Sequence, residues 1–432
     1  MRSPERFSVR TVMFENGERM PFLINVETGM PDFDSCVFVC TELRQKSLSS
    51  STLEQALRSV GLLKEFVSSR GIDLANRFST GQFLDLHELD EIVRTTYRPA
   101  RRPPTGDTEH FANRVLRKIV DLDRVRSRKA PASSERRAAT TTVKVRLYYL
   151  SSYLSWYGNK AAGNVSRTLE EKNDYVRMLN EFLERLRARI PNSRSTSQRE
   201  GLTPQQKSRL LEVTSPTHPD NPWDSEFVRV RNQLFVLWGL GTGLRRGELL
   251  GLRIGRLNFR KNMADIVRRP DDKHDSRTYQ PNTKTMERSI GFSEELAYVT
   301  HEYIVKFRAE IRGARKHDFL FVADRTGAPL SLAALSKVFR QLRVKHREIG
   351  EELTSHVLRH TWNEDFSTIA DSANLREEEE RRARNHAMGW SEYSKSADYY
   401  LHRRTRRKAT AASIQIQKTV INGKKLPRKP RS

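Results

Sequence analysis

The strongest constraint on the fold is a five-residue motif, HVLRH at positions 356–360, which follows two residues that commonly begin helices. Thr354 and Ser355 carry hydroxyls suited to the N-cap position, so the sequence predicts a helix that starts here. His356 lies three residues before Arg359 and four before His360, and residues at these spacings share one helix face. A helix start and a guanidinium both favour phosphate. The motif therefore predicts a phosphate site, although by itself it fits a basic surface helix equally well.

A second arginine stands at the start of an apolar stretch, TGLRRGELL at positions 242–250, where Glu248 follows Arg245 by three residues. Beyond the HVLRH motif, the chain continues to a Gly-Trp pair and then to two consecutive tyrosines. A tyrosine hydroxyl directed at the same phosphate would be a nucleophile. The joint occurrence of these stretches favours phosphate chemistry over an ordinary surface helix.

These stretches together resemble the tyrosine recombinase, or phage integrase, family, whose motifs read T-G-x-R-x-x-E-L, then H-x-x-R-H, then G-[HW], then a tyrosine nine residues further on. Tyr399 follows Trp390 by nine residues, so the resemblance selects Tyr399 as the nucleophile and leaves Tyr400 as the alternative. The resemblance covers residues 202–402 through these motifs, and residues 50–190 only through helical character and order.

The resemblance implies a role for each of the main side chains. Arg245 and Arg359 would clamp the phosphate of the DNA strand to be cut, and His356 would assist proton transfer or donate to that phosphate. Trp390 would donate through its indole N–H, and Tyr399 would form a 3′-phosphotyrosine. The resemblance thus implies a strand-exchange enzyme that conserves the phosphodiester energy in a covalent intermediate.

Three further residues complete the implied site. Lys284, in TKTMER at positions 283–288, fits the lysine that protonates the departing 5′ oxygen. Lys273 is its competitor, because the loop before Lys284 is longer than the short turn usual in the family. Glu248 would support the arginines, and His360 would brace the site. This chemistry needs no metal, no ATP and no other cofactor.

Two groups of residues raise the question of a metal. An acidic loop contains Asp271, Asp272, His274 and Asp275, but its spacing matches no known metal loop, so a solvated loop is favoured. The two cysteines, at positions 36 and 40, lack further ligands nearby in the sequence. We expect them to be reduced thiols.

The charge of the chain indicates the class of partner. Of its 432 residues, 78 are Lys or Arg and 53 are Asp or Glu, and the net charge is +25. A surplus of this size points to a polyanion, with double-stranded DNA as the leading candidate and an anionic membrane surface as the rival. No apolar run approaches the ~20 residues of a membrane span, and the N-terminus has no apolar signal core. We therefore expect a cytoplasmic, nucleoid-associated protein without a membrane partner.

Periodicity predicts a multidomain, mainly helical chain whose catalytic domain is α+β. The expected order is a small β-rich segment, a helical domain that the resemblance makes a DNA-clamping core-binding domain, a catalytic domain and a basic tail. Their expected bounds are residues 1–48, 50–190, 202–408 and 409–432. The stretch at 191–200 has almost no apolar residues and is the expected linker.

Local signals predict the elements of the first two segments. Alternation predicts strands at 7–13 and 36–40, with Asn16-Gly17 as a hairpin turn. In the helical domain, a capping box of Ser51 with Glu54 is expected to start the first helix. Glycines are expected to end two of the helices, one at Gly71 and the other at Gly158.

In the catalytic domain, Thr203 with Pro204 predicts a helix start. Strands are expected at 257–259, 264–268 and 287–292, and helices at 295–308 and 332–344.

Two charged stretches close the chain. The run at 376–384 predicts a solvated helix face. Residues 402–432 hold eleven Lys and Arg and no acid, which is typical of a disordered tail that adds affinity for DNA. Within the tail, the resemblance suggests that the more apolar residues 413–421 pack on a neighbouring subunit.

The resemblance implies a site-specific DNA recombinase that integrates or excises a mobile element. It also implies a homo-tetramer on paired sites, with accessory DNA-bending or partner recombinase proteins. Two alternatives remain at this point. A type IB topoisomerase-like nicking and closing enzyme shares the chemistry but acts as a monomer without paired sites, and a basic DNA-binding protein would carry the same motifs in an inactive form.

Overall fold

The structure is a computed structural model that describes residues 6–99, 137–164, 167–192, 200–283 and 285–423, with the backbone alone at residues 164, 407 and 421–423. Its described part is mostly helical with two small antiparallel sheets, which confirms the expected fold class. The chain divides into two compact units, Met1–Met13 with Arg19–Thr196, and Phe14–Glu18 with Ser197–Ser432. Most of the expected linker at 191–200 lies outside the described residues.

The N-terminal strands form a hairpin. Strands β1 (Phe7–Met13) and β2 (Arg19–Asn25) pair antiparallel, with Phe7 opposite Asn25, which confirms the first strand and the turn between them.

The strand expected at 36–40 is wrong, because this stretch is helical. Helix α1 (Phe33–Phe38) starts at Asp32, whose carboxylate accepts a hydrogen bond from the Ser35 N–H at 2.9 Å, and it continues as a π-helical turn, Val39–Leu43. The apolar residues that alternate in the sequence are buried here on a helix face, Phe38 and Val39 among them.

Among its described residues, the first unit has five further helices: α2 (Ser50–Arg70), α3 (Leu74–Thr80), α4 (Leu86–Thr96), α5 (Thr140–Asn164) and α6 (Leu169–Arg187). Their apolar stripes form one buried core. Gly71 ends α2 with a φ of +65°, as expected. The expected capping box of Ser51 is wrong, because Ser49 occupies the N-cap position.

Gly158 does not end a helix, contrary to expectation, and α5 runs through it to Asn164. A Cβ at this position would lie 2.5 Å from Leu179 Cδ1, so the absent side chain lets α6 approach closely. The Gly158 carbonyl accepts a hydrogen bond from the Tyr175 hydroxyl at 3.1 Å. The glycine serves helix packing rather than helix termination.

The second unit contains helices α7 (Pro204–Thr214), α8 (Glu226–Thr242), α9 (Arg246–Gly251), α10 (Glu294–Glu302), α11 (Leu332–Lys345), α12 (Ser355–Ser372), α13 (Glu377–Met388) and α14 (Asp398–Gly423). Strands β3 (Leu257–Asn258), β4 (Met263–Ile266) and β5 (Arg288–Gly291) form a sheet in the order β3-β4-β5, which confirms the three expected strands.

The helix starts that position the site are those that the sequence predicts. Thr203 caps α7, and its hydroxyl accepts from the Gln206 N–H at 3.2 Å. Thr354 caps α12, and its hydroxyl accepts from the Val357 N–H. At the other end of the chain, α14 continues to Gly423, so residues 409–423 are helical rather than irregular.

Candidate functional site

Two arginines from different helices converge in the second unit. Arg359, on α12, is 2% exposed, and its Nη1 donates to the Gly243 carbonyl at 2.7 Å. Arg245 occupies the N-cap position of α9. Arg245 Nη1 and Arg359 Nη2 each lie 3.4 Å from the carbonyl oxygen of Met388. The structure thus brings together the two guanidiniums that the sequence singles out.

Gly243 is the backbone element that permits this convergence. It ends α8 with a φ of +63°, a conformation that side chains disfavour. A Cβ here would also lie 2.8 Å from the Trp362 ring and 2.9 Å from Met388 Cε. The glycine of the TGLRR motif is therefore required twice, by its dihedral angle and by the space around it.

Glu248 links the elements of the site from a buried position, with 2% of its surface exposed. Its carboxylate accepts from the backbone N–H of Arg245 at 2.7 Å, from Arg288 Nη1 at 3.1 Å and from the Thr285 hydroxyl. Arg359 Nη1 lies 3.9 Å from the same carboxylate. The supporting position that the sequence predicts for Glu248 is thus the centre of a buried network.

Burial and neighbouring charges shift the pKa values of these groups. Burial would raise the pKa of Glu248, but Arg288 and the hydrogen bonds to the carboxylate hold that pKa below its ordinary value. Burial, and next to it the charge of Arg245, lowers the pKa of Arg359 to about 9, and burial lowers the pKa of Arg245 as well. Both arginines are therefore cationic at neutral pH in a place where charge is costly.

The sequence interpretation missed Arg288 and Thr285, which hold Glu248. Arg288 Nε also donates to the Ala387 carbonyl at 2.9 Å, which ties strand β5 to the end of α13. The sequence does contain a signal for Arg288. Buried and exposed residues alternate along β5, and Arg288 lies on the same buried face as Ile290. An arginine in register with the apolar residues of a strand indicates a buried charge with a partner.

The histidines and tyrosines lie next to one another. The ring centroids of His356 and His360 are 4.5 Å apart, and that of Tyr399 lies 6.4 Å from His360. His356 is exposed and Tyr399 is half-buried. Tyr400 is buried, and its hydroxyl lies 3.0 Å from His360 Nδ1.

Trp390 packs between an arginine and a tyrosine. The Arg359 guanidinium lies 5.3 Å from its ring centroid, and the Tyr400 ring is stacked on it at 6.2 Å with an interplanar angle of 15°. Arg359 and Tyr400 therefore fix the orientation of the indole. Donation by the indole N–H to a phosphate stays a prediction.

These contacts do not distinguish Lys284 from Lys273 as the general acid. Lys284 lies outside the described residues. The next residue, Thr285, is hydrogen-bonded to Glu248. Lys273 is exposed in the loop between β4 and β5.

In the described part of the chain, no group of three His, Cys, Asp or Glu side chains is arranged to hold a metal ion. The acidic loop is held by ion pairs, since Asp275 binds Arg277 at 2.8 Å and Asp272 binds Arg253. Cys36 and Cys40 are free thiols.

None of the helices among the described residues combines the length and the apolar character needed to span a bilayer.

The charged run at 376–384 is not a fully solvated helix face, contrary to expectation. Glu380 and Arg384 are fully buried and form an ion pair. Arg384 also donates to the Asn363 carbonyl at 2.7 Å, and Glu380 pairs with Arg404 of α14. The interpretation failed because the two residues, four apart, turn inward together and neutralise each other.

Comparison with known proteins identifies the second unit. Residues 200–407 match the model of the phage integrase family. The second unit therefore contains a phage integrase family domain. The family match includes every described residue of the site above.

Among curated relatives of this chain is transposase A from transposon Tn554 of Staphylococcus aureus. It is 29% identical over 135 residues, which cover 30% of this chain and 34% of the relative. The chain therefore spans about a third of the length of the curated relatives that it matches.

Solved structures of recombinases and integrases are also similar. XerH site-specific recombinase bound to difH substrate is 16% identical, with 88% of this chain and 94% of that chain covered at a TM-score of 0.44. XerA recombinase is 16% identical, with 88% and 97% covered at a TM-score of 0.35. The Tn1549 transposon integrase in complex with transposon right end DNA is 17% identical, with 67% and 98% covered at a TM-score of 0.37. These TM-scores are low, and the family assignment rests on the family match.

Proposed function

We propose that this protein is a site-specific DNA recombinase that cuts and rejoins DNA through a 3′-phosphotyrosine intermediate. Its task would be the integration or excision of a mobile element. The observation that carries the proposal is the convergence of Arg245 and Arg359 beside Glu248, with a histidine pair and two tyrosines adjacent. A pair of guanidiniums, that of Arg359 buried and that of Arg245 half-buried, suits the non-bridging oxygens of a phosphate, which gain charge in the transition state.

The reaction needs one covalent step in each direction. The Tyr399 oxygen forms a bond to phosphorus, the bond to the 5′ oxygen breaks, and the tyrosine proton leaves with help from His356. The departing 5′ oxygen takes a proton from a lysine. In rejoining, a 5′ hydroxyl attacks the phosphotyrosine and the tyrosine leaves. The phosphodiester energy is conserved, so the step consumes no ATP, and the arginines take the electrostatic role that a metal has in other phosphoryl transfers.

Tyr399 fits the role of nucleophile better than Tyr400. The Tyr400 hydroxyl is buried and hydrogen-bonded to His360, whereas Tyr399 is half-buried beside the exposed His356. Burial raises the pKa of Tyr400 to about 12, which makes its phenolate harder to form. Accessibility and acidity thus agree with the spacing from Trp390.

Lys284 is our candidate for the general acid. It directly precedes Thr285, whose hydroxyl binds the Glu248 carboxylate at the centre of the site. Lys273 belongs to a loop held by the ion pairs of Asp272 and Asp275 with arginines. The proximity of Thr285 to the arginines supports Lys284 over Lys273.

The proposal also covers the DNA partner, the helical domain and the assembly of the protein. Double-stranded DNA is the partner that the net charge of +25 favours. We infer that the helical domain at 50–190 and the catalytic domain at 202–408 both contact DNA. A homo-tetramer on paired sites, accessory DNA-bending or partner recombinase proteins, and association with the nucleoid complete the proposal.

The test is covalent attachment to DNA. A nicked duplex that carries the sequence selected by the protein from random DNA should trap the wild-type protein, in the presence of a chelator and without ATP. Tyr399→Phe should bind the same duplex and form no covalent complex, because it lacks the attacking oxygen. Attachment by Tyr399→Phe, together with none by Tyr400→Phe, would move the nucleophile to Tyr400.

A plasmid assay separates the alternatives. A recombinase should exchange segments only between two copies of the selected site. A topoisomerase-like enzyme would relax a supercoiled plasmid that has no such pair, and an inactive DNA-binding protein would do neither. Either of the last two results would overturn the proposal.

A further inference from the structure

The two consecutive tyrosines at the start of α14 have different environments, and the second has no role in the chemistry above. Tyr400 is 7% exposed and His360 is 8% exposed. Their contact is a hydrogen bond of 3.0 Å between the Tyr400 hydroxyl and His360 Nδ1. A buried polar contact of this kind costs free energy if either partner is left unsatisfied, so its direction can be argued.

The Tyr400 hydroxyl must be the donor in this contact. Among the described residues, its hydroxyl hydrogen-bonds to His360 Nδ1 alone. If Nδ1 carried a proton and donated it, the buried hydroxyl proton of Tyr400 would have no acceptor. The raised pKa of Tyr400 also keeps this hydroxyl protonated at neutral pH. Neutral His360 therefore carries its proton on the other ring nitrogen, Nε2.

Tyr400 is itself held rigidly. Trp390 stacks on its ring, and the Arg384 guanidinium lies 5.3 Å from its centroid. Arg384 is fixed in turn by the Asn363 carbonyl and by Glu380. A ring held by these two contacts keeps its hydroxyl, and with it the imidazole of His360, in one orientation.

We propose that Tyr400 is a positioning residue whose hydroxyl holds His360 as the Nε2–H tautomer and orients it beside His356 and Tyr399. This inference rests on the proposed function, because its consequence is felt at the nucleophile. His356 and Tyr399 are the side chains that would handle the departing proton, and their rings lie 4.5 and 6.4 Å from that of His360. In the other tautomer, Nε2 of His360 would present a lone pair instead of an N–H.

The tautomer can be measured without any DNA. Nitrogen NMR on protein with 15N-labelled histidine, assigned by the loss of signals in His360→Gln, distinguishes protonated from unprotonated ring nitrogens. We expect Nδ1 of His360 to be unprotonated and Nε2 protonated in the wild type. In Tyr400→Phe, which keeps the ring and removes the hydroxyl, we expect a mixture of tautomers. A protonated Nδ1 in the neutral wild-type ring would overturn the proposal.

The catalytic consequence is measured as the rate of covalent attachment in preformed complexes on the nicked duplex. Tyr400→Phe should react more slowly by about tenfold or more, a part of what acid–base catalysis contributes. DNA affinity should not change. Tyr393→Phe, which removes a hydroxyl from a residue that is 91% exposed, is the matched control and should react like the wild type.

A double substitution shows whether Tyr400 acts through His360. If it does, Tyr400→Phe should slow the His360→Gln protein no further, because the two effects are not additive. Full additivity, or a wild-type rate in Tyr400→Phe, would overturn the inference. A wild-type protein that never attaches to DNA would instead overturn the proposed function, and the NMR measurement would still decide the tautomer.

Discussion

Two buried arginine clusters in the second unit differ in their balance of charge. In the Glu248 cluster, one carboxylate lies beside the guanidiniums of Arg288 and Arg359 and accepts from the backbone N–H of Arg245. In the Glu380 cluster, Arg384 and Arg404 are matched by two carboxylates, because Arg404 also pairs with Asp371. The first cluster has surplus positive charge. In the second, each arginine has a carboxylate partner, and the additional cation, Lys408 on Asp371, is exposed to solvent.

The difference separates a site for an anion from a structural contact. Buried charge without a partner is costly, so a surplus marks a place where a further anion is expected to bind. A balanced cluster has no such need and instead ties α14 to α12 and α13. The predictions below test this contrast.

The largest effect on the attachment rate is expected from replacing Arg245 or Arg359. Arg245→Ala and Arg359→Ala should each slow the attachment step in bound complexes by about a hundredfold or more, since each removes a donor to the transition state. DNA affinity should fall far less. Arg246→Ala, which changes the exposed neighbour of Arg245, is the control and should leave the attachment step unchanged. Weaker binding with a normal attachment step would contradict the clamp.

The balanced cluster should matter for stability. Glu380→Gln leaves Arg384 and Arg404 without their carboxylate, which costs about 3 kcal/mol when one partner of a buried pair is removed. Hydrogen exchange in residues 355–388 should report this loss as faster opening. Glu378→Gln, on the same helix in an exposed pair with Arg382, should have no such effect. Equal protection in both variants would mean that the Glu380 cluster does not stabilise α12 and α13.

Acid should weaken the Glu248 cluster. Because the folded-state pKa of Glu248 lies below its ordinary value, the group adds stability above pH 4.5 that is lost as the pH falls through the folded value. Hydrogen exchange in residues 246–258 should therefore accelerate as the pH decreases from 5, after correction for the intrinsic rate. In Glu248→Gln this added dependence should be absent. The same acid dependence in both proteins would assign it to other carboxylates.

The smallest effect is expected from the segment of the chain that follows the Glu380 cluster, from Ala409 onward. Deletion from Ala409 onward removes six Lys and Arg, and leaves Arg403, Arg404 and Lys408 in their ion pairs. The salt dependence of non-specific DNA binding should weaken by up to about five in log–log slope. Replacing the same six residues by Gln separates charge from chain length. An unchanged slope would mean that this segment does not contact DNA.

Local signals predicted much of the site and less of what surrounds it. The cap at Thr354 and the spacing in HVLRH placed Arg359 correctly on a helix face, because capping and periodicity act within one turn. Arg384 and Glu380 were mistaken for a solvated face because their partners, Asn363 and Arg404, come from other helices. Gly158 was mistaken for a helix end because Leu179, which requires its small size, lies on α6.

Tyr399 and Tyr400 lie at the start of α14, and the rotation of this helix about its axis is fixed by residues that follow them in the sequence. Tyr399 and Tyr400 point about 100° apart around α14, and Arg403 and Arg404 fix the helix through ion pairs with Glu364 and Glu380. An irregular stretch at 391–397 joins this helix to Trp390. A codon inserted in that stretch would alter the interval between Trp390 and Tyr399 without turning the helix. A codon inserted after Tyr400 would keep the interval and rotate both hydroxyls by about 100° relative to Arg403 and Arg404. The direction of the two hydroxyls therefore depends on the residues that follow them rather than on the length of the stretch before them.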